Sequence, residues 1–85
     1  MEATDPYPDF IDESRFFKLE LWEFHARKAA SDVNKWFCWN RRKKMNKLLS
    51  LIRIGSACHE HGKVKDREKL GNILDEVEDV ALKYL

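Results

Sequence analysis

Residues 36–53, WFCWNRRKKMNKLLSLIR, combine three large aromatic residues with a block of four consecutive cations and an apolar run of helical spacing. The charge of the chain changes on either side of this stretch. Residues 1–24 hold seven acidic and two basic residues, residues 25–65 hold eleven basic and two acidic residues, and residues 66–85 hold six acidic and three basic residues. The formal net charge of +1 therefore conceals a basic middle between two acidic ends.

The composition indicates one small helical domain. The chain has 85 residues, of which 44% are hydrophobic and 36% are charged, and it contains only three glycines and two prolines. An all-β domain needs turn residues more often than this. In residues 66–84 the apolar positions recur at spacings of three and four, which is the pattern of an amphipathic helix.

We therefore predict an all-α fold, a small three-helix bundle with helices at roughly residues 12–42, 45–60 and 66–84. An extended leader of residues 1–11 precedes a single α-helical domain of residues 12–85. Because so short a chain buries only a modest core, we expect homodimerisation to complete the bundle.

The boundaries of the first helix depend on capping and on the helix dipole. Asp12 is a suitable N-cap, and Ile11 and Phe16 occupy the positions of a hydrophobic staple. Cations favour the last turn of a helix and oppose the first turn, so we expect this helix to include the basic block or to bend near Asn40. A new helix that starts at Asn40 stays open as an alternative, since asparagine caps well.

Three residues carry expectations about local packing. Gly55 lies inside the second helix, where glycine costs about 1 kcal/mol relative to alanine, so close packing is expected there, with Ala26–Ala30 as the candidate surface. Gly62 is expected to end that helix in the left-handed conformation. Asp66 is expected to cap the third helix or to lie in its first turn.

The start of the first helix has more apolar residues than one buried stripe requires. We predict a protein interface there, formed by Phe16, Phe17, Leu21, Trp22 and Phe24. The alternative is that the leader and the third helix cover this surface within one chain.

The basic block predicts a second surface. Clustered cations neutralise phosphate, and exposed aromatic rings stack on unpaired bases. The candidate nucleic-acid-binding residues are Arg41, Arg42, Lys43, Lys44, Lys47, Arg53 and Trp39. The alternative is a solvated cationic face that pairs with acidic residues of the leader or of the third helix.

No pattern of residues predicts catalysis, a metal site or a cofactor. His59 and His61 are two residues apart, so they do not share a helix face, and no second Cys/His cluster completes a zinc site. The three glycines do not form a phosphate-binding loop or a nucleophile elbow. No apolar run approaches the ~18 residues of a membrane span, so no membrane partner is expected.

The cysteines and the N-terminus indicate a reducing compartment. Cys38 and Cys58 form at most one disulfide, and both fall in segments with a helical pattern, so we expect free thiols. The acidic, proline-bearing start is unlike a secretory signal. We expect a cytoplasmic protein.

Two functional hypotheses follow. The favoured one is a small non-enzymatic adaptor or inhibitor that binds another protein, or a second copy of itself, through the aromatic surface. The alternative is a nucleic-acid-binding accessory or regulatory protein that uses the basic segment 41–53. The orientation of Trp36 and Trp39 discriminates between them, because exposure of Trp39 among the cations favours the second hypothesis.

Overall fold

Three helices form the part of the fold that the structure describes, as predicted. The computed structural model describes residues 10–35 and 39–85. In that part of the chain α1 spans Leu19–Asn34, α2 spans Arg41–His61 and α3 spans Arg67–Lys83. Each helix packs against the other two. The described residues contain isolated β-bridges but no strand, so the all-α prediction is confirmed.

The third helix follows the predicted stripe closely. Its buried residues, spaced at intervals of one, three or four, are Leu70, Ile73, Leu74, Val77 and Ala81. The side chain of Asp66 accepts a hydrogen bond from the amide of Lys69 at 3.0 Å, so the predicted N-cap is confirmed. This cap satisfies one of the amide groups that the first turn of a helix leaves without an internal partner.

Trp22 occupies the centre of the core. Its side chain has 0% relative exposure, and its indole N–H donates to the backbone carbonyl of Leu51 at 2.8 Å. A Cβ atom at Gly55 would lie 2.5 Å from the Trp22 ring. The predicted close packing at Gly55 is confirmed, but the partner is Trp22 rather than the alanines of α1. Glycine is required here because the indole occupies the space of a side chain.

The start of α1 differs from the prediction: the helix begins at Leu19, not near residue 12. Asp12 does accept a hydrogen bond, from the amide of Phe16 at 2.8 Å, but it closes a turn in which Arg15 has a φ of 68°. The amide of Phe17 then donates to the carbonyl of Lys63 at 2.8 Å. This long-range hydrogen bond and the bonds of the turn satisfy backbone groups of residues 12–18 without a helix.

The end of α1 also differs from the prediction. The helix stops at Asn34, and α2 begins at Arg41 behind Asn40, which has left-handed backbone angles of 61° and 44° and no side-chain cap. The cations therefore lie in the first turn of α2, as in the alternative that stayed open. Arg41 offers a physical reason, because its guanidinium donates to the carbonyls of Val33 at 3.2 Å and Lys35 at 2.7 Å. The positive charge of Arg41 thereby lies at the C-terminus of α1, where the negative end of the helix dipole favours a cation.

The connection between α2 and α3 contains one further correction. Gly62 was expected to be left-handed, but its φ is −92° and its ψ is 170°, which is extended backbone. Its amide donates to the carbonyl of Cys58 at 2.8 Å. An extended Gly62 directs the next residue toward Phe16, with which Lys63 forms a parallel bridge.

Several predicted features lie outside the described residues. These are the leader up to residue 9, Trp36, and Cys38. Phe10 is described and is buried in the core, with its ring edge-on to His25 at 5.8 Å. Among the described helices, none is both long enough and apolar enough to cross a bilayer.

A basic helix face and an aromatic cleft

The outward side of α2 is basic along most of its length. At 100° per residue, Arg42, Lys43, Lys47 and Arg53 fall within an arc of about 140°, opposite the buried side chains of α2. All four side chains are exposed, and Asn46 and Ser50 lie exposed between them. From residue 42 to residue 53 this surface is about 16 Å long. We call it the basic face.

Two of the predicted cations point elsewhere. Arg41 is partly buried, donates to the end of α1, and stacks over the ring of Tyr84, with its Cζ atom 4.6 Å from the ring centroid. Lys44 is also half-buried, on the side of α2 that faces the bundle. Arg41 therefore connects the ends of the helices, while the basic face consists of Arg42, Lys43, Lys47 and Arg53.

Few acidic residues lie near the basic face along the sequence. Residues 33–59 contain no aspartate or glutamate. Arg42, Lys43 and Arg53 form no ion pair with any residue of the described ranges 10–35 and 39–85. Neutralisation of these cations by α3, one of the alternatives, is not observed there. Phosphate contacts need cations of this kind, which are exposed and not already paired.

Within the described residues, the ion pairs between helices join α1 to α3. Arg27 donates to Glu23 at 2.9 Å and to Glu76 at 3.2 Å, and Lys69 lies 3.5 Å from Glu23. The hydrogen bond from Arg27 lowers the pKa of Glu23, with smaller contributions from Lys69. The pKa of Arg27 is raised, first by its hydrogen bond to Glu76. None of these contacts involves Arg42, Lys43 or Arg53.

Trp39 is the most exposed aromatic residue of the described chain. Its side chain is 76% exposed, two residues before the first turn of α2. Trp36, the second tryptophan whose orientation was expected to discriminate between the two hypotheses, lies outside the described residues. The exposure of Trp39 beside the cations favours the nucleic-acid hypothesis by that criterion.

The structure separates the residues of the predicted protein interface. Trp22 and Phe17 belong to the core, with 0% and 4% relative exposure. Phe16 and Leu21 are half-buried, and only Phe24, at 62%, is largely exposed. The apolar side chains at the start of α1 are thus mostly buried, within the turn at residues 12–18 and against α2.

A cleft lies beside this turn and next to the start of α3. Its volume is about 540 Å³. Apolar side chains form much of its lining, and Phe16 is flanked by the ammonium groups of Lys63 and Lys65, each 5.8 Å from its ring centroid. The residues that line the cleft are Asp12, Phe16, Phe17, Lys18, Leu19, Glu20, Leu21, Lys65, Asp66 and Lys69. We call it the aromatic cleft.

The thiol and imidazole groups at the end of α2 do not assemble into a site within the described residues. No group of three His, Cys, Asp or Glu side chains there has an arrangement that would hold a metal ion. Burial raises the pKa of the Cys58 thiol, which disfavours the thiolate, the reactive form.

Some residues of both surfaces were not among the predicted site residues. Asn46 and Ser50 belong to the basic face, where the helical period places them beside Lys43, Lys47 and Arg53. Lys65 and Lys69 border the aromatic cleft through contacts with residues about fifty positions earlier, for which no local pattern gives a signal.

Comparisons with known proteins found no match. No protein-family model, curated protein or solved structure matches the chain.

Proposed function

We propose that this protein binds the phosphate backbone of nucleic acid through the basic face of α2, in a non-catalytic role. The supporting observation is a helix side about 16 Å long with four exposed cations. Three of them, Arg42, Lys43 and Arg53, have no acidic partner in the described chain. Nucleic-acid phosphates supply the missing negative charge, and the release of their counterions drives binding.

The salt dependence of binding tests this proposal. If all four cations contact phosphate, a fourfold rise in salt should weaken binding roughly 50-fold for a single strand and roughly 150-fold for a duplex. The measurement is fluorescence anisotropy of labelled oligonucleotides at 50 and 200 mM salt. Lys43→Ala and Arg53→Ala should each lower the logarithmic salt slope by about 0.7 to 0.9.

A matched control uses a cation on another helix. Lys28 is exposed on α1, so Lys28→Ala removes the same charge from the molecule but not from the basic face. Its affinity and salt slope should equal those of the wild type. Equal effects of Lys28→Ala and Lys43→Ala would indicate attraction by net charge alone and would contradict a defined face.

A second candidate function, binding of a protein partner, is supported by the aromatic cleft. Its volume of about 540 Å³ falls within the range of ligand pockets, ~300–1,000 Å³. We propose that it accepts an apolar side chain of a partner peptide. Peptides selected from a random library on the wild type, and tested by calorimetry, should lose affinity for Leu21→Lys but not for Phe24→Ala. Failure to select any peptide with this discrimination would remove the candidate.

Homodimerisation and a reducing compartment are further proposals. Exposed Phe24 on α1 supports a dimer contact, and light scattering at tens of micromolar should give a dimer mass that Phe24→Lys converts to a monomer mass.

The free, half-buried thiol of Cys58 supports a cytoplasmic location. Alkylation in denaturant, on cells lysed without added reductant, should label both cysteines.

A further inference from the structure

The basic face begins beside an exposed aromatic ring. Trp39 is 76% exposed, and it precedes Arg42 by three residues, so the two Cα atoms lie within about 11 Å of each other. A strand whose phosphates contact the start of the basic face therefore brings its bases within reach of the indole.

Arg41, the first residue of α2, anchors the first turn of this helix to the other two helices. Arg41 donates to the carbonyls of Val33 and Lys35 and stacks on Tyr84. The hydroxyl group of Tyr84 in turn lies 3.1 Å from the side-chain oxygen of Asn34. These contacts tie the ends of all three helices together two residues after Trp39. The helix backbone that carries the cations next to Trp39 is therefore held by contacts within the protein, which reduces the ordering cost of binding.

An exposed indole distinguishes unpaired from paired bases. Every base has a π-face that stacks on an aromatic side chain when the base is free. Within a duplex the bases stack on one another and present only their edges to a protein in the grooves. An aromatic ring next to a row of cations is thus suited to a single strand.

Building on the proposed phosphate contacts, we propose that the ligand is single-stranded nucleic acid, with one unpaired base stacked on Trp39. The neighbouring phosphates contact Arg42, Lys43 and Lys47. Binding has little sequence preference, because stacking and phosphate contacts do not read base edges.

The test compares four labelled ligands of equal length by fluorescence anisotropy. These are an oligothymidine strand, an oligouridine strand, a blunt-ended DNA duplex and an abasic strand that keeps the sugar-phosphate chain but lacks bases. The wild type should bind the two strands with bases more tightly than the duplex or the abasic strand. The thymidine and uridine arms show whether the sugar matters.

The variants separate stacking from phosphate contacts. Trp39→Ala should weaken binding of the strands with bases roughly 5- to 150-fold and leave binding of the abasic strand unchanged. Leu82→Ala removes another exposed apolar side chain, on α3, and should change neither. Circular dichroism should show that Trp39→Ala remains helical, as expected for the loss of an exposed side chain.

Each contrary result identifies which proposal fails. If duplex and abasic ligands bind as tightly as the strands with bases, and Trp39→Ala alters nothing, the stacking is refuted while the phosphate contacts stand. If no ligand shows salt-dependent binding, the basic face does not bind nucleic acid and both proposals fall. Binding to phosphatidylserine vesicles that needs Trp39, without binding to any strand, would assign the indole to a membrane surface and overturn the inference.

Discussion

Replacing Gly55 by alanine tests the packing on which the fold depends. In the interior of an ordinary helix, alanine is more stable than glycine by about 1 kcal/mol. At position 55, however, the new Cβ would lie 2.5 Å from Cζ2 and 2.9 Å from Cε2 of Trp22, and 3.1 Å from Cδ2 of Leu74. The methyl group therefore forces the indole to move.

The magnitude follows from three contributions. Overpacking of a core costs about 1–3 kcal/mol. Movement of the ring also weakens the 2.8 Å hydrogen bond from Trp22 to the Leu51 carbonyl, and a buried donor without its partner costs about 1–3 kcal/mol. After the helix-propensity gain is subtracted, we expect Gly55→Ala to lower the free energy of unfolding by about 1–5 kcal/mol. At the middle of this range, about 3 kcal/mol, the Tm should fall by about 12–24 °C for a domain of this size.

The assay is urea denaturation followed by circular dichroism, with Gly71→Ala as the matched control. Gly71 lies in α3, where a Cβ would meet only the ring of His59, at 3.3 Å. Because the end of that side chain can shift, Gly71→Ala should be neutral or stabilising by up to about 1 kcal/mol. The same substitution in two helices should thus have opposite effects.

A double-mutant cycle identifies the clash. Trp22→Phe removes the ring atoms that the new methyl group would meet, so Gly55→Ala should cost less in that background, with a coupling of at least about 1 kcal/mol. The reasoning is refuted if Gly55→Ala stabilises the protein as Gly71→Ala does, or if its cost is the same in both backgrounds.

Three further predictions concern individual contacts. Glu23→Gln should lower the Tm at neutral pH, because Arg27 depresses the pKa of Glu23. This contribution exists above the unfolded-state pKa of about 4.3 and is lost as the pH falls through the lower folded-state value, so the two Tm values should converge in strongly acidic buffer; a constant difference would contradict it. Asp66→Ala should cost about 1 kcal/mol in urea denaturation, and Asp66→Asn should keep most of the cap; equal losses would exclude capping. Arg41→Lys should lower the Tm, since an ammonium group does not reproduce two carbonyl contacts and a stacked plane, whereas Arg42→Lys should leave it unchanged.

The two candidate surfaces were predictable to different degrees. The cations of the basic face were identified from their clustering, and the helical period accounts for the shared orientation of Lys43 and Lys47. The burial of Phe17 was not predictable in this way. Its place in the core depends on the bond from its amide to Lys63, 46 residues later, and on a turn in which Arg15 is left-handed.

The sequence by itself determined the helical class and the course of α3, because an amphipathic stripe and an N-cap are relations between residues at most four positions apart. The tertiary structure alone decided where α1 begins and ends. Before its start, the amide of Phe17 donates to the carbonyl of Lys63. After its end, Arg41 donates to carbonyls at the C-terminus of α1 and stacks on the ring of Tyr84. It also decided that Gly55 makes room for Trp22. These contacts join residues that only folding brings together, so their free energy outweighs the local dipole and capping preferences on which the sequence pattern depends.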